Sequence, residues 1–173
     1  MMRQIISLFL LLSFFSVNAQ KYLAKDGVIS FFSETLIEDI TAVNSKVSAV
    51  FDNESNQLVF QLMIKDFVFP ISLMQEHFNE NYLESDIYPK STFTGKVIKK
   101  DNQNTKVLGD LKIHGIKNKI NVDGVLIKQE NRILISAEFI LKLEDYDIEI
   151  PTIVMYNIAE EIEVTIKAKL KEI

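Results

Sequence analysis

Alternation at period two runs through most of the chain and limits what it can fold into. Ile162, Val164, Ile166, Ala168 and Leu170 point one way, with Glu161, Glu163, Thr165, Lys167 and Lys169 opposite. Ile133, Ile135, Ala137, Phe139 and Leu141 repeat the pattern against Arg132, Ser136, Glu138 and Lys142. Further rows are Ile116, Asn118, Ile120, Val122, Gly124 and Leu126; Leu58, Phe60, Leu62 and Ile64; Val107, Leu111 and Ile113; and Val43, Val47, Ala49 and Phe51. Val28 to Ser33 and Thr92 to Lys99 supply two more strands. Successive strand side chains point to opposite faces, so each row is one buried face of a strand. Asp52-Asn53, Asp101-Asn102, His114-Gly115 and Glu130-Asn131 are turn signals between rows. About eight short, tightly connected strands predict an all-β barrel or sandwich. Val59, Met63, Leu134 and Ile140 interrupt the polar rows, which predicts that parts of the outer face are also covered.

Two segments break the alternation. Ser72 to Leu83 reads as a short helix, with Met74, Phe78 and Tyr82 four residues apart on one face. Ser72 is its expected N-cap, with Gln75 completing a capping box. Tyr88-Pro89 ends the excursion, because a residue before proline avoids helical geometry. The second segment is Glu144 to Glu160, with Pro151 and a helical turn expected at about 151–158.

The first nineteen residues read as a secretory signal peptide. Arg3 precedes an apolar run from Ile5 to Phe15, and Val17-Asn18-Ala19 fits a small-x-small cleavage site. The run is short for a membrane span of about 20 residues. The expected mature domain is 20–173, periplasmic or secreted, with no membrane span after cleavage. Disulfides are allowed there, yet the chain has no cysteine. It must fold on its core alone. Cleavage would remove one base, Arg3, and no acid, taking the net charge from −5 to −6. An acidic chain argues against nucleic acid as a partner.

Chemistry has little to work with. His77 and Glu80 stand at i, i+3, but the chain has only two histidines. Zinc sites draw on three or four protein ligands, mostly His or Cys. No nucleophile motif and no Gly-rich phosphate loop is present. Paired acids such as Glu144-Asp145 and Glu160-Glu161 are neighbours in sequence, and on a strand neighbours face opposite ways. The expectation is no catalytic residue, no metal and no cofactor. What remains is apolar: Phe67, Phe69, Phe78, Tyr82, Tyr88, Phe93, Tyr146 and Tyr156 flank the irregular segments. An eight-stranded barrel is either filled by its own side chains or holds one small ligand.

The stretch "FVFPISLMQEHFNENYLESDIYPKSTFTG", Phe67 to Gly95, resembles the YceI-like family of exported lipid-binding proteins. The matching residues are Phe67, Phe69, Met74, His77, Phe78, Tyr82, Leu83, Tyr88, Pro89, Thr92 and Phe93. Leu108 to Leu126 is similar to that family's G-x-L hairpin, and Asp145 to Ile166 to its closing segment. The resemblance implies an eight-stranded antiparallel, lipocalin-like β-barrel. It implies a lengthwise apolar cavity for a polyisoprenoid, isoprenoid quinone or other long-chain lipid, no cofactor, and a possible homodimer. Expected lipid-binding residues are Phe67, Phe69, Met74, Phe78, Tyr82, Phe93, Leu111, Ile113 and Phe139. Two other readings stand beside it: a structural or interaction barrel with a self-filled core, and an enzyme acting on lipid.

Overall fold

The computed structural model describes residues 20–34, 39–101, 104–149 and 159–173. It contains eight strands: β1 (Lys21–Ser33), β2 (Ile40–Asp52), β3 (Gln57–Met63), β4 (Lys90–Lys100), β5 (Thr105–Ile113), β6 (Ile116–Gln129), β7 (Arg132–Lys142) and β8 (Glu161–Glu172). Each pairs antiparallel with the next, and β8 returns to pair with β1, closing the barrel. Closure leaves no free sheet edge. The eight-stranded antiparallel barrel is the one the resemblance implied, and one of the two all-β forms, barrel or sandwich, that the alternation allowed. Residues 1–19, including the expected signal peptide, lie outside the described residues, as does the helical turn expected at about 151–158. The described part of that second segment holds a short 3-10 turn at Glu144–Tyr146.

The up-and-down order sorts the connections. The β2–β3, β4–β5 and β6–β7 turns share one end with both termini of the barrel, where Asn53 N–H donates to the Gln20 carbonyl at 3.1 Å. The β3–β4 excursion, the β5–β6 turn and the 3-10 turn after β7 share the other end. There Ile113 pairs with Ile116 across His114-Gly115, whose φ values of 49° and 79° make a tight hairpin turn.

The excursion is helical over the expected span but begins differently. Helix α1 (Ser72–His77) is preceded by an extended Ile71, and no side chain caps it. Ser72 is its first helical residue, not its N-cap. Gln75 instead turns its Oε1 back to accept from Phe69 N–H at 3.2 Å. Phe69 has left the sheet, so that amide needs an acceptor. The helix then widens into a π turn over Phe78–Tyr82, closed by Leu83 N–H on the Phe78 carbonyl at 2.9 Å. The wider i→i+5 turn keeps four-residue spacing on one face. Met74, Phe78 and Tyr82 are accordingly all buried.

One member of a predicted row faces the other way. Val43 is 41% exposed, while Ile40, Ala42 and Asn44 point inward. Val47, Ala49 and Phe51 are inward too, so the parity changes between Asn44 and Val47. The cause is a β-bulge: Gly27 pairs with Val47 but Ile29 pairs with Asn44, three residues on β2 against two on β1. The fully buried Asn44 holds it. Its Nδ2 donates to the Met63 carbonyl at 2.9 Å, and its Oδ1 accepts from Lys46 N–H at 2.9 Å. These bonds span the gap where the chain leaves β3, before it rejoins β2 at the Val43–Val68 bridge.

The interior has two parts. At the end carrying the termini, Tyr22, Val47, Phe51, Val97, Ile133 and Leu170 are buried among other core side chains. Above them the inward side chains border a cavity instead of meeting. The expectation that other segments cover the outward apolar residues fails for two of them: Met63 is 37% and Ile140 57% exposed. The helical excursion packs over the end of the barrel and leaves its wall bare.

Candidate functional site

The cavity occupies the half of the barrel under the helix. The centre of a water-sized sphere can move through about 190 Å³ of it. Inward rows of β3 (Leu58, Phe60, Leu62), β5 (Val107, Leu111, Ile113) and β8 (Ile162, Val164, Ile166) supply much of the wall. Its roof is aromatic. Phe31, Phe67, Phe69 and Phe78 form one cluster, with ring centroids 4.9 to 5.7 Å apart. Such pairs add about 0.5–1.5 kcal/mol each beyond the area they bury. Met74, Tyr82 and Leu83 close the same side.

All nine residues expected from the sequence lie on this one cavity. Phe67, Phe69, Met74, Phe78 and Tyr82 come from the excursion, Phe93 from β4, Leu111 and Ile113 from β5, and Phe139 from β7. Phe93 owes its place to two glycines. Gly95 and Gly109 are register partners, and a Cβ on either would come within 2.6 Å of the Phe93 ring. The sequence reading missed Phe31, which meets the other three roof rings from β1. Phe31 and Phe32 are adjacent, so one of the pair had to face inward, but composition alone does not say which. In the barrel Phe32 is the exposed one.

No charged side chain lines the cavity among the described residues. Gln61 and Ser136 border it but are exposed, so their side chains point outward. Ser33 and Ser91 are buried, and each spends its hydroxyl on main chain: Ser33 Oγ accepts from Ala159 N–H at 3.0 Å, and Ser91 Oγ donates to the Lys112 carbonyl at 3.1 Å. Burial raises the Tyr82 phenol above its ordinary value, which keeps it neutral. An ionised group placed inside would find no counter-charge, and such burial is strongly unfavourable.

The histidines sit outside the cavity. His77 is half-buried on α1, and among the described residues no three of His, Cys, Asp or Glu converge on one point. His114 ties the roof together. Its Nε2 lies 2.9 Å from Glu84 Oε2 and its Nδ1 3.1 Å from the Tyr146 carbonyl. Both partners are acceptors, so the ring makes both bonds only when both nitrogens carry hydrogen. Tyr88 meets it edge-on, centroids 4.5 Å apart. The helical excursion, the β5–β6 turn and the 3-10 turn after β7 are thus joined at one side chain.

Tyr146 is buried beside this junction, and its hydroxyl has no hydrogen-bond partner. Burial, reinforced by the Asp145 carboxylate, pushes its phenol up to about 12. An unfolded tyrosine ionises near pH 10. The folded state therefore holds a proton that the unfolded state loses. This contribution is fully present below about pH 10 and is lost as pH rises from about 10 to about 12. In an alkaline absorbance titration of the folded protein, Tyr146→Phe should remove the last tyrosine to ionise. Its stability should also fall less steeply over that window, as followed by denaturant unfolding. If the tyrosine that Tyr146→Phe removes ionises near pH 10 instead, the hydroxyl is in contact with water.

Comparison with known proteins agrees with this geometry. The YceI-like domain family matches residues 21–170. Protein YceI of Escherichia coli is 31% identical over 75 residues, which is 40% of this chain and 39% of that relative. Among solved structures, a polyisoprenoid binding domain from Saccharophagus degradans, implicated in plant cell wall breakdown, superposes with a TM-score of 0.74. It is 14% identical, over 90% of this chain and 99% of that one. The YCEI protein of Campylobacter jejuni gives a TM-score of 0.67 at 23% identity, covering 81% and 89%. Burkholderia cenocepacia BcnA gives 0.71 at 13%, covering 83% and 95%. At these identities the superpositions speak to the fold alone.

Proposed function

The chain belongs to the YceI-like domain family, and from that premise we propose that it is a non-enzymatic carrier or sequestering protein for a long-chain, uncharged lipid. The observation that carries this reading is the cavity itself. An eight-stranded barrel of this size could have been filled by its own side chains. Here only one end is filled, and the other half is left as a void lined by hydrocarbon and roofed by four phenylalanines. An empty apolar cavity costs the protein stability. A ligand that fills it returns about 0.8 kcal/mol per buried CH₂. Polyisoprenoids, isoprenoid quinones and fatty acids all have such chains. The Saccharophagus degradans neighbour is a polyisoprenoid binding domain, which favours the first of these. A fatty acid would have to leave its carboxylate at the mouth, because among the described residues the walls offer no cation. The reading of residues 1–19 as a leader places the carrier in the periplasm or outside the cell. Neither a paired carboxylate nor a nucleophile with its base borders the void among the described residues, which favours binding over chemistry on the lipid.

The test is organic extraction of the purified mature protein followed by mass spectrometry. One apolar compound at near-stoichiometric amount is expected. Finding none, together with no uptake of added prenols, quinones or fatty acids, would leave the barrel as a structural or interaction module.

A further inference from the structure

The β6–β7 seam shows where the cavity stops at its inner end. Register partners on one face of two strands form rungs, and three such rungs follow one another along this seam. At Gly124–Ala137 both residues border the void, and both are half-buried. At Leu126–Ile135 both still border it, but they are only 4% and 8% exposed. At Lys128–Ile133 neither borders it, and Ile133 is fully buried. The neighbouring strands agree. Ala168, the partner of Ile135 on β8, does not border the void, and neither does Phe51, the partner of Leu58 on β2. A step from a small rung to a large one therefore ends the space. A glycine and an alanine leave it open, and a leucine beside an isoleucine closes it. Leu58 shares this floor, and the hydroxyl of Thr105 nearby is shielded from the void. Among the described residues the floor thus presents hydrocarbon alone.

We infer that the Leu126–Ile135 rung is the stop that limits the length of the bound chain, and that the ligand meets it with its hydrocarbon end. This rests on the carrier reading above and deepens it. The ligand class is a lipid that enters tail first and keeps its polar group toward the roof. A hydroxyl or carbonyl carried down to the floor would lose its water and gain no partner, which is unfavourable. A methyl end meets only hydrocarbon there. Each methylene buried on the way in strengthens binding about fourfold. A chain longer than the space must leave its excess in water, so the gain ends at the length that first reaches Leu126 and Ile135. Discrimination by length therefore resides in two residues at the opposite end of the cavity from the aromatic roof.

The experiment uses the mature protein stripped of ligand and a series of straight-chain primary alcohols that lengthens one carbon at a time. Affinities come from displacement of a fluorescent apolar probe. In the wild type they should rise about fourfold per carbon and then level off at one length. Leu126→Ala, which deepens the floor, should move that break about two carbons further. An alcohol two carbons beyond the wild-type break should then bind about tenfold more tightly than it binds the wild type. Ile135→Phe, which raises the floor, should move the break to shorter chains. The readout is a position on the length axis, so a variant that is partly unfolded still reports it. Leu111→Ala removes the same atoms from the side wall. It should lower affinity at every length and leave the break in place. A break that stays put in both floor variants, or that moves as far in Leu111→Ala as in Leu126→Ala, overturns the stop while leaving the carrier intact. Wild-type protein that takes up neither these alcohols nor prenols overturns the carrier reading, and the stop with it.

Discussion

Ala137→Phe is expected to leave the barrel folded and to empty it of lipid. Ala137 is a half-buried wall residue on β7, beside Gly124 on β6 and Ile166 on β8. A ring added there points into the void instead of into packed neighbours. The overpacking cost of about 1–3 kcal/mol that follows enlargement in a close-packed core should therefore be largely absent, and filling the void should offset what remains. The ring competes with the ligand for the same space. If it displaces about four methylene groups, at about 0.8 kcal/mol each, affinity falls by about 3 kcal/mol, or about a hundredfold. The check is mass-spectrometric: extracted lipid per protein, in wild type and variant purified side by side, with thermal unfolding as the control for folding. Full lipid loading in the variant would mean that the cavity is not where the lipid resides.

Phe51→Ala should cost about 3–5 kcal/mol of stability, the usual loss for truncating a buried phenylalanine. Phe51 is fully buried in the packed end, paired across the sheet with Tyr22 and Leu58. The Lys100 ammonium sits 6.0 Å from its ring centroid. Phe139→Ala is the internal comparison. Phe139 is only half-buried, and its ring faces the void, so it has fewer neighbours to lose and should cost clearly less. Urea unfolding of both variants measures the difference. Equal losses would show that the barrel is packed evenly along its length.

Much of the site was legible because it rides on strands. Leu111, Ile113 and Phe139 follow from alternation once one face is known to be inside. Met74, Phe78 and Tyr82 follow from helical spacing. Legibility stopped wherever a local rule was overridden by something distant in sequence. The Ser72 capping box is sound as a local motif, but Gln75 was claimed by the amide of Phe69, which tertiary structure had pulled off the sheet. Val43 was assigned inward because Val47 is inward, and the bulge between them depends on a bond from Asn44 to Met63, nineteen residues away. His114 looked like a turn residue and nothing more. Its partners Glu84 and Tyr146 lie thirty or more residues distant.

The chain's period-two pattern determined that it would be a sheet, how many strands it would have, and which residues of most strands would be wet. These are properties of single segments, since side-chain direction alternates along a strand whatever it pairs with. Tertiary structure alone decided that the barrel is packed at one end and hollow at the other. That division depends on which rows meet across the interior. Tyr22, Phe51, Ile133 and Leu170 come from four different strands and fill one end, while glycine and alanine at 124 and 137 leave room nearby. Close packing is a property of neighbours, and neighbours in a closed barrel are set by register and stagger across the whole chain.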